Sequence, residues 1–221
     1  MRNADRLCLA HFWVAFGAFL FACVLGAWQM WVRSPLGAKI GTPGEYFMSV
    51  TAHGVSMAYV LTTFFIMGFG YFVAVTALNR TLPGLIWAWA AFWMGILGVV
   101  LALISIGSGQ ASVLFTFYPP LTANVWFYVG LVLVVAASWV WCVLMLIAMR
   151  AWKVDNPGRP VPLAMFATVA NAVMWLWTTI GVAAELLFQV IPASLGLCRP
   201  LMSACRARCF HGRCTRSSTS G

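Results

Sequence analysis

The stretch EYFMSVTAHGVSMAYV, residues 45–60, places one imidazole in a largely apolar run. His53 has no carboxylate within seven residues on either side and no second histidine within forty. A neutral imidazole in low-dielectric surroundings is a good axial ligand for haem iron. The plainer reading is a neutral histidine that hydrogen-bonds a neighbouring helix and packs quietly. An ionisable group inside a membrane span is costly and marks a functional site by default, so position alone leaves both readings open. At helical spacing its neighbours are Ser49, Val50, Ser56 and Met57, with Ala52 and Gly54 on either side. Such small residues leave room for a flat, bulky group, and Ser49 or Ser56 would orient the ring.

Two other groupings carry chemistry. Cys205, Cys209, His211 and Cys214 supply zinc-type donors, but the spacing C-x3-C-x-H-x2-C matches no standard finger and has no second half. Glu185 lies within an apolar run with Gln189 one turn on, which suits a proton path, a subunit contact or simple hydrogen bonding. Glu45 follows Pro43-Gly44 and reads as a helix-start residue that favours the helix dipole.

The elements that must position these groups are membrane spans. The chain has 221 residues, of which 63% are hydrophobic and 8% charged, and its mean hydropathy is +0.93. Soluble domains carry roughly 25% charged residues. The net charge of +9 does not signal nucleic acid, because the basic residues flank apolar runs and form no amphipathic patch. Five runs, about 9–32, 46–78, 85–107, 123–149 and 163–191, reach the roughly 20 residues that cross a bilayer as a helix. The first is too long for a signal peptide and is read as a retained span. The spacing of Gly95 and Gly98 predicts a close helix contact. Tryptophans such as Trp28, Trp31, Trp87 and Trp89 sit near run ends, where amphipathic rings favour the interface.

With the N-terminus inside, the inner segments carry Arg2, Arg6, Arg80, Arg150, Lys153 and Arg159, and the outer loops carry only Arg33 and Lys39. The positive-inside rule therefore predicts a cytoplasmic N-terminus. His53 then lies about 12 Å in from the outer face, eight residues past Glu45. Residues 198–221 hold five arginines, four of the seven cysteines and no acid. Their composition matches nothing upstream and reads as a disordered or non-native tail, distinct from the transmembrane region 1–197.

Three segments together resemble subunit I of the haem–copper oxidases. TAHGVSMAYVLTTFFIMGFGYF (51–72) resembles its second helix, with H-G-x-x-M near the outer end. FTFYPPLTANVWFYVG (115–130) resembles the loop and start of its fourth helix, with Y-P-P-L at 118–121, and ELLFQVIPASLGL (185–197) resembles the end of its fifth. The reading MGFGYF, without the asparagine that the A branch uses in proton entry, favours the B branch. The resemblance implies that the five spans, each long enough for a bilayer, correspond to the first five of about twelve helices of that subunit. It implies that His53 is one of two axial ligands of a low-spin haem, expected to be b-type. It also implies a high-spin haem and a copper ion, electron delivery from subunit II or cytochrome c, oxygen reduction coupled to proton translocation, and a bacterial or archaeal plasma membrane.

The copper ligands and the ligand of the high-spin haem have no counterpart in this sequence. From the coincidence of the family break and the composition break near residue 197, the chain is expected to be a truncated or frameshifted subunit I that is inactive alone. His11 is expected to lie roughly 20 Å from His53, too far to complete the haem site. The competing readings are a nitric-oxide-reductase-like member of the same superfamily and a cofactor-free membrane anchor. A transporter would need more polar residues or broken helices at midplane than the sequence offers.

Overall fold

The computed structural model describes residues 3–37, 41–111, 113 and 123–196. Among these the fold is all-α, with five helices long and apolar enough to cross a membrane. They are α1 (Asn3–Arg33); a second span, Pro43–Ala77, built from α2 (Pro43–Val55), a π-helical turn (Ser56–Leu61) and α3 (Thr62–Ala77); α4 (Leu85–Gly107); α5 (Val125–Asp155); and a fifth span, Leu163–Ser194, built from α6 (Leu163–Glu185), a second π-helical turn (Leu186–Val190) and α7 (Ile191–Ser194).

Two helices run further than their apolar runs. α1 begins at Asn3, with Asp5 in the first turn, where a carboxylate suits the helix dipole. α5 continues six residues past Met149 to Asp155, through Arg150 and Lys153. Long basic side chains can lay their stems along apolar surface with the charge in the interface, so charge alone does not stop a helix. What stops it is Asn156-Pro157-Gly158, with Gly158 at φ +77°.

The second span starts on a capping box. The Thr42 hydroxyl accepts from the Glu45 backbone N–H at 3.3 Å, and the Glu45 carboxylate accepts from the Thr42 N–H at 2.7 Å. Glu45 is thus a helix-start residue, as its position after Pro43-Gly44 predicts. At α5, Asn124 caps the helix by accepting from the Phe127 N–H, and its own side-chain amide donates to Gln110, closing the base of the loop.

Helices in lipid gain little from the hydrophobic effect against one another, so small residues that permit close approach hold them together. The α4–α5 seam shows this. A Cβ on Gly98 would lie 2.5 Å from the Gly130 carbonyl oxygen, and one on Gly130 would lie 2.6 Å from that of Gly98. Gly95, one turn away, faces Phe64 and Ala137. The expected close contact at Gly95 and Gly98 is present, with Gly130 as its opposite half. α5 meets α6 through hydrogen bonds from Trp175 Nε1 to Ser138 Oγ (2.9 Å) and from Trp139 Nε1 to Thr179 Oγ1 (2.7 Å).

Candidate functional site

His53 sits on the last turn of α2, immediately before the π-helical turn. Its ring is half-buried and leans on α1. Nδ1 is 2.8 Å from the backbone oxygen of Ala22. A carbonyl can only accept, so Nδ1 carries the proton and the lone pair is on Nε2. One turn along α1, Gly26 faces the same ring: a Cβ there would come within 3.3 Å of His53 Cε1 and 3.5 Å of Nδ1. The imidazole is therefore fixed in tautomer and held against a glycine. A metal-ligating histidine is commonly held in this way, with one nitrogen bonded to a carbonyl and the other free to coordinate.

The orienting group differs from the expected one. Ser49 does not hold the ring; its hydroxyl donates to the Tyr46 carbonyl at 2.7 Å, as serines on helices often do. The work falls to Ala22 of another span. Neither Ala22 nor Gly26 stands out singly in the sequence. The readable signal is the stripe Ala15, Ala18, Ala22 and Gly26, small residues at helical spacing that mark a close-packed face. The π-helical turn after His53 has no clear sequence mark, although such turns gather at functional sites.

His11 is elsewhere. It lies eleven residues before Ala22 on α1, roughly 16 Å along the helix axis. It is wholly buried among Phe64, Tyr71 and Phe92, whose ring centroids lie 5.7, 5.4 and 4.9 Å from its own. Its Nδ1 bonds the Leu7 carbonyl of its own helix at 2.9 Å. The structure does not bring the two histidines together. Glu185 ends α6 just before the second π-helical turn and is half-buried, and Gln189 is exposed. Among the described residues the ion pair found is Arg80–Asp155, at 2.9 Å, so Glu185 has no cation partner there. No group of three or more His, Cys, Asp or Glu side chains able to hold a metal occurs among the described residues. Cys205, Cys209, His211 and Cys214, and the Y-P-P-L segment 118–121, lie outside them.

His53 meets the requirements of an axial ligand on this geometry: one tethered nitrogen, one nitrogen with a lone pair, and a half-open ring beside a glycine. Residues 6–207 match the family described as cytochrome c and quinol oxidase polypeptide I. The match continues ten residues past 197, into the segment whose composition sets it apart. Over 153 residues the chain is 34% identical to cytochrome c oxidase subunit 1 of Thermus thermophilus, covering 69% of this chain and 27% of that protein. The fold superposes on a chain of a heme-copper terminal oxidase dimer solved by cryo-electron microscopy, with a TM-score of 0.84 and 34% identity. That superposition covers 90% of this chain and 34% of the other. The chain thus spans about a quarter to a third of the length of these relatives.

Proposed function

This chain belongs to the family of cytochrome c and quinol oxidase polypeptide I, and on that premise we propose that it supplies the first five helices and one low-spin haem ligand of a respiratory terminal oxidase. The observation that carries the reading is the tether from His53 Nδ1–H to the Ala22 carbonyl, which leaves Nε2 as the coordinating atom. His53 would hold one axial position of a low-spin, b-type haem. When bound, the haem supplies reversible one-electron chemistry between an electron donor and the site of oxygen reduction.

The remaining roles belong to the chain's own residues. Ala22 accepts from Nδ1–H and fixes the orientation of the ring, so that Nε2 would be the atom that meets the metal. Gly26 keeps side-chain bulk away from the ring face on α1. α1 and the second span, packed together along their length, hold both partners of the tether on rigid elements. Among the described residues no other histidine lies near His53, so a second ligand to the haem would have to come from elsewhere in the oxidase. The same holds for the ligands of the high-spin haem and of copper. The five helices alone would not reduce oxygen.

In this reading the multi-pass chain lies in a bacterial or archaeal plasma membrane with its N-terminus in the cytoplasm. Electrons arrive from cytochrome c or a copper-bearing subunit II, and proton translocation is a property of the assembled oxidase. The test is a reduced-minus-oxidised visible spectrum of the chain purified with its native partners, wild type beside His53→Ala. The variant should lose the low-spin Soret and alpha bands. An identical spectrum in the variant would overturn the assignment.

A further inference from the structure

The interior contains a second polar site that takes no part in the haem reading. His11, Tyr71 and Trp141 are 0%, 0% and 1% exposed, on α1, α3 and α5. His11 Nε2, Tyr71 Oη and Trp141 Nε1 are each buried without a hydrogen-bond partner. In a bilayer no bulk water can relieve such groups, and each orphan costs several kcal/mol. Two of them, His11 Nε2 and Tyr71 Oη, are on rings in contact and call for a shared partner.

Two of the three lie side by side: the His11 and Tyr71 rings meet edge to face with centroids 5.4 Å apart. Gly68 faces His11, whose Cβ would be 2.8 Å from a Cβ placed there, whereas Gly70 faces Trp141, whose indole nitrogen would be 2.9 Å from a Cβ there. Residues two apart on a helix point about 200° from each other, so His11 and Trp141 pack on opposite sides of α3.

The chemistry of the two atoms is complementary. His11 Nδ1 donates to Leu7, so Nε2 can only accept. Tyr71 Oη can donate or accept. Direct pairing does not occur in this packing. One small molecule with donors and acceptors in equal number joins such a set, and water has them. A larger occupant is excluded because His11 and Tyr71 are already sealed within these five spans, so no side chain of a further helix or subunit reaches them.

We propose that His11 Nε2 and Tyr71 Oη are bridged by one ordered water molecule inside the bundle, in the half that carries the N-terminus. The bridge makes an interhelical link between α1 and α3 that no direct side-chain hydrogen bond provides at this position. It also keeps a hydrated imidazole at a depth where the neighbouring rings are aromatic. This site stands independently of the haem assignment and survives if that assignment fails.

The test is a structure of the full chain, purified with its native partners, at a resolution that shows ordered water. Density within hydrogen-bonding reach of both His11 Nε2 and Tyr71 Oη, at about 2.7–3.2 Å, is the expected result. A dry contact, or a direct bond between Nε2 and Oη, overturns the proposal. A second measurement reads the sign of a stability change. If water is bound, Tyr71→Phe leaves the bridge short of a partner and the unfolding midpoint falls by a few degrees. If the site is dry, the same change removes an unpaired hydroxyl from the interior and the midpoint rises, which would refute the bridge even if the His11 variant does not fold.

Discussion

Two histidines are held by the same pair of membrane spans, near opposite ends, and they are treated in opposite ways. His11 is sealed among three aromatic rings and bonds back to its own helix. His53 is half-buried and bonds across to a neighbouring helix. Each uses Nδ1 on a backbone carbonyl, so tautomer does not separate them. Access does. At His53 the remaining nitrogen belongs to a ring that is still partly open after five helices have packed. At His11 it is enclosed. Access, and not tautomer, is therefore the property that would suit one of two intramembrane histidines to a large cofactor.

The sharpest way to break this comparison is to remove each imidazole in turn. His53→Ala should abolish the low-spin haem bands of the assembled protein, and His11→Ala should leave them in place while lowering thermal stability. Loss of the bands in the His11 variant, with the fold intact by circular dichroism, would mean that the two sites are not separate.

Glycines opposite each ring give a smaller contrast. Gly68→Ala sets a methyl 2.8 Å from the His11 Cβ and 3.3 Å from the Cys8 carbonyl, where backbone cannot yield, and should destabilise by about 1–3 kcal/mol in an unfolding titration. Gly26→Ala meets only the edge of the His53 ring, at 3.3 Å. That cost is set against the roughly 1 kcal/mol that alanine gains over glycine in a helix. Stability should hold within about 1 kcal/mol, while the tilt of the ring shifts the low-spin alpha band. Equal destabilisation by the two substitutions would remove the distinction between a closed site and an open one.

The smallest effect lies at the end of the bundle nearer His11. Arg80 and Asp155 join the loop after α3 to the end of α5, with side chains 33% and 59% exposed. Arg80→Gln should change stability by less than about 1 kcal/mol, and the change should vanish at high salt. A larger loss would show that this end is held by charge and not by the aromatic packing around His11.

Much of this was legible in the sequence, for identifiable reasons. Hydropathy locates spans because lipid imposes a length and a composition on them. His53 was legible because an imidazole in an apolar run is rare enough to notice. Gly98 was legible, but its partner Gly130 was not, since one glycine in a helix does not name the helix it will touch. The end of α5 was misplaced at Met149 because the first arginine was read as the end of the helix, whereas the terminating signal is Asn156-Pro157-Gly158. Ala22 escaped notice because every residue has a carbonyl, and only the packing of α1 on α2 selects one. The pairing of Tyr71 with His11 depends on a register between two spans that no local pattern encodes.

The π-helical turn at Ser56–Leu61 has a consequence for the angular phase of the second span. Each helical residue advances the side-chain direction by about 100°, and a wider turn accommodates one residue without that advance. The face that carries His53 and the face that carries Phe64 and Tyr71 are thus set to their bearings independently, as if by a coupling between two shafts. Winding the same residues as an unbroken α-helix would add that advance and swing everything before the turn by about 100° relative to everything after it. With α3 anchored on Trp141 through Gly70, it is His53 that would turn, away from Ala22 and off the face of α1.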